Sequence, residues 1–204
     1  MNNIFVLIIG TILMQTCCEK TIDDKLTSKS SPHSGLSKAT QADIDNIAEN
    51  LNINYRLVTN IPTDKCDAKV ANGACFEVEL SFTAKQEISA TGWSIFFSHI
   101  SPVQSSVGEA FNVKHINGDL HKISLTDKFS GFKAGEVKKV VFRANYWMLS
   151  ETDALPNYIV SADNLQAKVI ASTKTAINTD TGLEFLPFVE PFRNELTQFK
   201  RTGS

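Results

Sequence analysis

The feature that most constrains this 204-residue chain is an alternation of side chains within residues 90–122. One alternating set carries aromatic, aliphatic and imidazole groups and the other is mostly serine: Trp93, Ile95, Phe97 and His99 against Ser94, Phe96 and Ser98. Because successive side chains of a β-strand point to opposite faces, a period of two predicts a strand with one buried face. The fold must therefore supply a second layer that covers that face.

A hairpin is predicted after this strand, at Asn117-Gly118. A two-residue Asn-Gly loop would pair Val113 with Lys122, whereas a three-residue loop over 117–119 would pair Val113 with Ile123. A slip of one residue moves every apolar side chain to the wrong face, so we favour the three-residue loop. That loop predicts three cross-strand pairs: Phe111 with Leu125, Val113 with Ile123, and His115 with His121.

Other segments of the chain repeat the pattern. The clearest has Phe76, Val78, Leu80 and Phe82 alternating with polar residues, and a later one has Val140, Phe142, Ala144 and Tyr146 predicted to face inward. About seven or eight strands at short spacing, without long helices between them, predict an all-β fold, an antiparallel β-sandwich.

A short helix is predicted before the first strand. The sequence Thr40-Gln41-Ala42-Asp43 resembles a capping box, in which Asp43 answers the free amides of the helix start. The apolar residues that follow fall on one helical face: Ile44, Ile47, Ala48 and Leu51. Such a short apolar face favours packing against the adjoining globular part over membrane binding.

Several sequence blocks in order carry a resemblance to a known family. They begin with GWSIFFSH and HINGDLHK and continue at 129–136, 146–147, 150–153, 156–158 and 167–173. Together these blocks resemble the N-terminal domain of bacterial chitobiases, the β-N-acetylhexosaminidases of glycoside hydrolase family 20, over roughly residues 50–175. The resemblance implies a β-sandwich similar in fold to cellulose-binding modules. In the family, this domain precedes a small α+β domain and a catalytic barrel.

The resemblance carries no catalytic residue onto this chain. In the family, an adjacent Asp-Glu pair in the barrel orients the substrate acetamide and protonates the leaving oxygen. The chain contains no Asp-Glu dipeptide, and its length leaves no room for a barrel of about 250 residues. We therefore expect that the chain by itself is not an enzyme and needs no cofactor.

The charge of the chain argues against one class of partner. A net charge of −2 and a pI near 6.1 disfavour nucleic acid, which attracts proteins through basic patches that displace counterions.

The N-terminal residues have the features of an export signal. Residues 4–14 form an apolar run that is too short to span a bilayer and suits a signal peptide, predicted over 1–18. Cys17 and Cys18 are candidates for lipidation, which the family often shows at its first mature residue. Met14-Gln15-Thr16 lacks the small residues expected before such a cysteine, so cleavage without lipidation stays open. Residues 19–37 are rich in Lys, Ser and Thr and predict a flexible tether.

The other two cysteines flank a predicted turn between two strands. Export would favour a disulfide between Cys66 and Cys75. Unlinked thiols are the alternative, and structural zinc is disfavoured because the spacing lacks a second cysteine pair.

The β-sandwich is predicted over 38–175, and the alternation breaks from Ala176 onward. The apolar residues beyond that point are interrupted by Pro187 and Pro191 and have no core of their own to enter. We interpret 176–204 as a linker to an absent downstream domain. The alternative is a tail that folds back on the sandwich.

Three histidines form the only cluster in the sequence that resembles a site. His99, His115 and His121 could ligate zinc with a water as fourth ligand. They share faces with Phe97 and Val113, so core histidines bonded to backbone or to Asp119 are the simpler interpretation. We predict no metal site.

Two aromatic residues are candidates for carbohydrate contact, because an aromatic ring offers a flat apolar face and Trp and Tyr add a polar edge. Alternation assigns Trp93 and Tyr146 to the core. Trp147, on the opposite side, and Tyr158, after Pro156-Asn157, are better placed to be exposed. Packing of Trp147 on another domain is the alternative.

The function predicted is that of a non-catalytic N-terminal domain of an exported β-N-acetylhexosaminidase acting in chitin oligosaccharide breakdown. Its expected partners are the downstream catalytic domain and, weakly, N-acetylglucosamine oligosaccharides. The expected location is the periplasm or outer membrane, with a lipid anchor if lipidated, or the secreted fraction. The alternatives are a free-standing secreted carbohydrate-binding protein and a small metal-dependent hydrolase that uses the three histidines.

Overall fold

The computed structural model describes residues 35–192 as thirteen β-strands and one α-helix, α1 (Gln41–Asn50). The strands are β1 (Ser37–Lys38), β2 (Leu51–Thr59), β3 (Cys75–Ala84), β4 (Thr91–Gly92), β5 (Ser94–Ser98), β6 (Val103–Gly108), β7 (Phe111–Asn117), β8 (Leu120–Leu125), β9 (Val137–Asn145), β10 (Ile159–Ser161), β11 (Lys168–Val169), β12 (Ala176–Ile177) and β13 (Glu184–Phe185). The predicted signal peptide, Cys17, Cys18 and most of the predicted tether lie outside the described residues.

Two antiparallel sheets form the body of the protein. One has the strand order β2-β3-β9-β6, and the other has the order β11-β10-β5-β8-β7. Their facing sides meet in one core, where the ring centroids of Phe82 and Phe111 are 4.4 Å apart and those of Phe97 and Phe142 are 6.4 Å apart. The prediction of an all-β antiparallel sandwich is confirmed.

The alternation in β3 explains how one sheet can serve both the core and the solvent. The inward set, Phe76, Val78, Leu80 and Phe82, is fully buried. Burial of each such side chain stabilises the fold by about 1.5–3 kcal/mol. On the outer face, Glu79 accepts hydrogen bonds from Arg56 and Lys139, both at 3.0 Å.

The register predicted for the hairpin is confirmed: Phe111 lies opposite Leu125, Val113 opposite Ile123, and His115 opposite His121. The loop itself is shorter than predicted. Pairing continues to Asn117 and Leu120, with an irregularity between His115 and Asn117, so Gly118 and Asp119 alone make the turn. The extra residue of this bulge preserves the register that keeps the apolar face inward.

Ser106 hydrogen-bonds across one edge of the sandwich, from β6 in one sheet to β7 in the other. The Ser106 hydroxyl on β6 donates to Asn112 Oδ1 at 2.7 Å, and the Val113 N–H on β7 donates to Ser106 Oγ at 2.9 Å. These bonds satisfy polar groups that strand pairing leaves open at the edges of both sheets.

The N-terminal helix has the predicted cap and the predicted apolar face. The Asp43 N–H donates to Thr40 Oγ1, and the Thr40 N–H donates to Asp43 Oδ2, which is the reciprocal capping box. Ile44, Ile47 and Ala48 are buried in the core of the sandwich. Within residues 35–192, no helix is long and apolar enough to cross a membrane.

The segment predicted to be a linker begins as a two-stranded ribbon, β12–β13, and then returns to the sandwich. The expectation that its apolar residues have no core to enter is wrong for three of them, Leu186, Phe188 and Val189, which are buried. The Tyr55 N–H donates to the Phe188 carbonyl at 2.8 Å, and the Glu190 N–H donates to the Tyr55 carbonyl at 2.9 Å. The segment thus lies along the open edge of β2, and the ordered fold extends beyond the predicted limit of residue 175.

Candidate functional site

A disulfide loop lies at one end of the sandwich. Cys66 and Cys75 are bonded, with their Cα atoms 5.6 Å apart, which confirms the predicted pair. Cys75 begins β3 and pairs with Asn145, the last residue of β9. The carbonyl of the preceding residue, Ala74, accepts a hydrogen bond from the Tyr146 N–H at 3.0 Å. The disulfide loop therefore holds the first residue after β9.

Tyr146 and Trp147 follow β9 and are both exposed, at 51% and 45%. Trp147 has the exposure that a ligand contact requires. The expectation that Tyr146 faces the core is wrong, because pairing of β9 stops at Asn145 and Tyr146 has φ of 69°. A residue in this left-handed region turns the chain, so the alternation of the strand does not continue through it.

The backbone directly after Trp147 is held by hydrogen bonds to a buried asparagine. Met148 is fully buried, and its N–H donates to Asn60 Oδ1 at 2.8 Å. The Asn60 amide donates back to the Met148 carbonyl at 2.8 Å. Asn60 itself is only 1% exposed, so both bonds lie away from water.

A second cap fixes the next residues. Asp153 Oδ2 accepts from the Leu149 N–H at 2.8 Å and from the Ser150 N–H at 3.1 Å. Ser150 and Asp153 form a capping box at the start of a short 3-10 turn, Glu151–Ala154. The loop after β9 is thus held at Tyr146, at Met148 and at Leu149.

The rings of Tyr146 and Trp147 form what we call the aromatic corner. Their centroids are 6.4 Å apart and their planes meet at 82°. Within residues 35–192, neither ring contacts another aromatic ring or a cation. Each ring is about half exposed and carries a polar group at its edge, the phenol hydroxyl of Tyr146 and the indole N–H of Trp147.

Tyr158, the other predicted carbohydrate contact, lies in the core and is fully buried. Its ring stacks on Phe97 at 4.7 Å between centroids and meets Phe188 edge-on at 5.5 Å. Burial raises the pKa of its hydroxyl. The Tyr158 N–H donates to Thr173 Oγ1 at 2.9 Å, and this bond ties the residue to the sandwich after the Pro156-Asn157 turn. The prediction that Tyr158 is exposed is wrong.

His99 is a core residue with both ring nitrogens bonded. Nδ1 lies 2.7 Å from the Ser101 carbonyl, and Nε2 lies 3.0 Å from the Tyr55 hydroxyl. Burial lowers the pKa of His99 to about 4, and the nearby His121 acts in the same direction. Burial also raises the pKa of the Tyr55 hydroxyl, so both partners are neutral near pH 7.

The other two histidines bond to backbone as well. His121 Nδ1 lies 2.8 Å from the Asp119 carbonyl, and its Nε2 accepts from the Val103 N–H at 3.3 Å. His115 Nε2 lies 2.9 Å from the Gly118 carbonyl. The predicted backbone bonding of these rings is confirmed. Among the described residues, no three His, Cys, Asp or Glu side chains are grouped so that they could hold a metal ion.

Sequence reasoning missed Tyr146 and Asn60. The signal for Tyr146 was Asn145, since asparagine is depleted in strands and marks the end of β9. Asn60 gave no local signal, because its partner Met148 is 88 residues away in the chain.

The family model CHB_HEX, described as "Putative carbohydrate binding domain", matches residues 50–204. The chain is 35% identical over 166 residues to a β-hexosaminidase of Vibrio vulnificus, a match that covers 80% of this chain and 19% of that protein. It is 35% identical over 158 residues to the N,N'-diacetylchitobiase of Vibrio harveyi, covering 74% of this chain and 18% of that protein. The chain thus spans about a fifth of the length of these curated relatives.

Two kinds of solved structure align with the fold. An exo-β-N-acetylglucosaminidase of glycoside hydrolase family 20 from Vibrio harveyi, in complex with N-acetylglucosamine, aligns at 9% identity with a TM-score of 0.42 over 70% of this chain and 18% of that chain. A CBM3b module of a scaffoldin subunit from Acetivibrio cellulolyticus aligns at 9% identity with a TM-score of 0.35 over 59% of this chain and 94% of that chain.

Proposed function

Because the chain belongs to the CHB_HEX family of carbohydrate-binding domains and is homologous to the N-terminal part of family 20 hexosaminidases, we propose that it binds N-acetylglucosamine oligosaccharides through the aromatic corner. The family match over residues 50–204 carries the proposal. The exposed faces of Trp147 and Tyr146 supply the chemistry, since aromatic faces cover the apolar side of a pyranose ring.

The chain alone is a binding domain and not an enzyme, because the family that it matches is one of carbohydrate-binding domains and it corresponds to about a fifth of each hexosaminidase relative. In our proposal it serves a catalytic region of the same family, either by keeping that region near its polymer or by supporting its fold. A free-standing secreted carbohydrate-binding protein is the alternative.

The ribbon β12–β13 favours a role in supporting the fold of a catalytic region. Three large apolar side chains are exposed there, Ile177 at 57%, Leu183 at 67% and Phe185 at 44%. An isolated two-stranded ribbon is marginal in water, and apolar side chains on it favour contact with a further protein surface.

Export is part of the proposal. The disulfide Cys66–Cys75 suits an oxidising compartment, and the apolar run at residues 4–14 suits a signal peptide. We propose that the protein acts in the periplasm, at the outer membrane through a lipid on Cys17 or Cys18, or in the secreted fraction.

Calorimetric titration with soluble oligomers of N-acetylglucosamine, cellulose-type glucose oligomers and xylose oligomers tests the sugar class. We expect heat of binding with the N-acetylated oligomers and much less with the other two. The matched control for Trp147→Ala is Phe185→Ala, because Phe185 carries a similarly exposed ring but is not part of the aromatic corner. The proposal would be contradicted if all three classes of oligomer bound equally, or if no oligomer bound. The same protein should release no product from an aryl N-acetylglucosaminide above a buffer blank.

A further inference from the structure

The geometry of the aromatic corner restricts the form of polysaccharide that it can bind. The planes of Tyr146 and Trp147 meet at 82°, which is close to a right angle. A flat crystalline surface presents its sugar rings in one plane, and aromatic side chains can cover it only if they lie side by side in a matching plane. At a right angle, one ring could stack on such a surface while the other stood edge-on against it.

The backbone that carries the two rings is held on both sides. The Tyr146 N–H is bonded to the Ala74 carbonyl in the disulfide loop, and Met148 is bonded twice to buried Asn60. The backbone therefore fixes the point at which each ring is attached, and χ1 of each residue takes one of a few discrete staggered values. The directions in which the two rings leave the backbone are thus set by rotamers, and only rotation about χ2 varies broadly.

A right-angled corner instead matches one sugar unit at a time. One ring covers the apolar face of a pyranose, and the other stands beside its edge, where the substituents of the sugar project. In an N-acetylated sugar, one of those substituents is an acetamido group, whose methyl packs on an aromatic face and whose N–H and carbonyl are hydrogen-bonding groups. The Tyr146 hydroxyl can donate a hydrogen bond to the acetamido carbonyl or accept one from the acetamido N–H.

We propose that the aromatic corner binds a single N-acetylglucosamine unit, in a soluble oligomer or at a free chain end, and does not bind the flat face of crystalline chitin. This inference rests on the proposed sugar-binding function and adds Tyr146 to Trp147 as a binding residue. The domain therefore binds chains that are released from the polymer or have separated from its crystalline surface.

The test compares two forms of the same sugar. The purified chain is titrated calorimetrically with the soluble tetramer of N-acetylglucosamine, and in parallel it is depleted from solution by crystalline chitin and by chitin swollen to expose free chains. We expect measurable affinity for the tetramer, retention on swollen chitin, and little retention on crystalline chitin of equal mass.

Substitutions in the corner identify the residues. Loss of one stacked aromatic should weaken binding of the tetramer roughly several-fold to tenfold, so Trp147→Ala and Tyr146→Ala should each show that loss. Phe185→Ala, with a similarly exposed ring elsewhere, should bind like the parent. Unfolding curves of the variants show whether each is folded. If Tyr146→Ala is not folded, it is replaced by Tyr146→Phe, which keeps the ring and removes only the hydroxyl.

Two different failures can be distinguished. Strong retention on crystalline chitin, or unchanged tetramer affinity in Tyr146→Ala, would overturn this inference and leave the proposed sugar-binding function in place. Absence of binding to every form of the sugar would overturn both.

Discussion

The side chain of Asn60 and the backbone of Met148 hold each other by two hydrogen bonds of 2.8 Å each. Asn60 directly follows β2 and Met148 follows β9, so this pair connects the ends of two strands that β3 separates in the sheet. Because the exposed rings precede Met148 directly, the position of the aromatic corner depends on a buried residue outside it.

Asn60→Ala should destabilise the fold, because it leaves the buried N–H and carbonyl of Met148 without these partners. The expected loss is about 2–6 kcal/mol in the free energy of unfolding, at roughly 1–3 kcal/mol for each of the two buried groups left unpaired. Urea denaturation measures it. Asn52→Ala, at a half-buried outward position on β2, is the control and should cost far less. A stability equal to that of the control would refute the role of the pair.

Removal of the disulfide should lower stability and loosen the anchor of Tyr146. Closing a loop of this length contributes about 2.5–3 kcal/mol on the chain-entropy model. We expect Cys66→Ser/Cys75→Ser to lose that amount in denaturation experiments and to bind sugar more weakly than the parent. The double variant removes both thiols and so leaves no free cysteine in the loop. Mass spectrometry of the alkylated, non-reduced parent provides the direct check, and two labelled thiols at these positions would disprove the bond.

The buried imidazole of His99 predicts an acid-sensitive fold. Burial lowers its pKa to about 4, whereas in the unfolded chain it titrates near its ordinary value. The unfolded state therefore binds a proton first as the pH falls, and stability is lost progressively between about pH 6.5 and pH 4. The full loss is on the order of 3 kcal/mol, at about 1.4 kcal/mol for each unit of difference in pKa. His121, whose pKa burial also lowers, acts in the same direction.

A variant without the imidazole isolates this effect. His99→Gln retains hydrogen-bonding groups but cannot titrate, so its stability should fall less than that of the parent over this pH range. Parallel denaturation curves at pH 7, 5.5 and 4 compare the two. Identical pH dependence in parent and variant would show that His99 is not the group responsible.

Gly131 lies at a turn where an added side chain would meet backbone atoms. Its φ is +82°, and a Cβ built there would lie 2.5 Å from the Ile88 carbonyl. Gly118 has φ of +57° with open space around it, so Gly118→Ala carries only the backbone strain of roughly 1–2 kcal/mol. Gly131→Ala should cost clearly more, because the Ile88–Phe132 bridge must move. Equal losses in thermal unfolding would contradict the close contact.

The strands of the fold were predictable because their side chains alternate over whole segments. The register of β7 and β8 followed from the need to keep Phe111 and Val113 inward, and this constraint held although a bulge altered the loop. The capping box at Thr40 was predictable for a similar reason, since its bonds are local to four residues.

The candidate site was predicted only in part, because its geometry depends on where an alternating pattern stops. The alternation of β9, extended by one residue, places Tyr146 in the core. In the structure the backbone turns at Tyr146, and its side chain is exposed. Tyr158 was misassigned for the opposite reason: bonds to Thr173 and Ile170 draw it inward after a turn. Such long-range bonds leave no local pattern in the sequence.

The most direct test of the central claim uses the two tryptophans of the chain. Trp93 is buried at 2% exposure among Phe111 and Phe129, so a change in fluorescence on adding sugar reports mainly on exposed Trp147. Titration of the parent with the soluble N-acetylglucosamine tetramer should give a saturable change, and Trp147→Phe should abolish it. A parent without a saturable response, or a Trp147→Phe variant with the same response as the parent, would contradict carbohydrate binding at the aromatic corner.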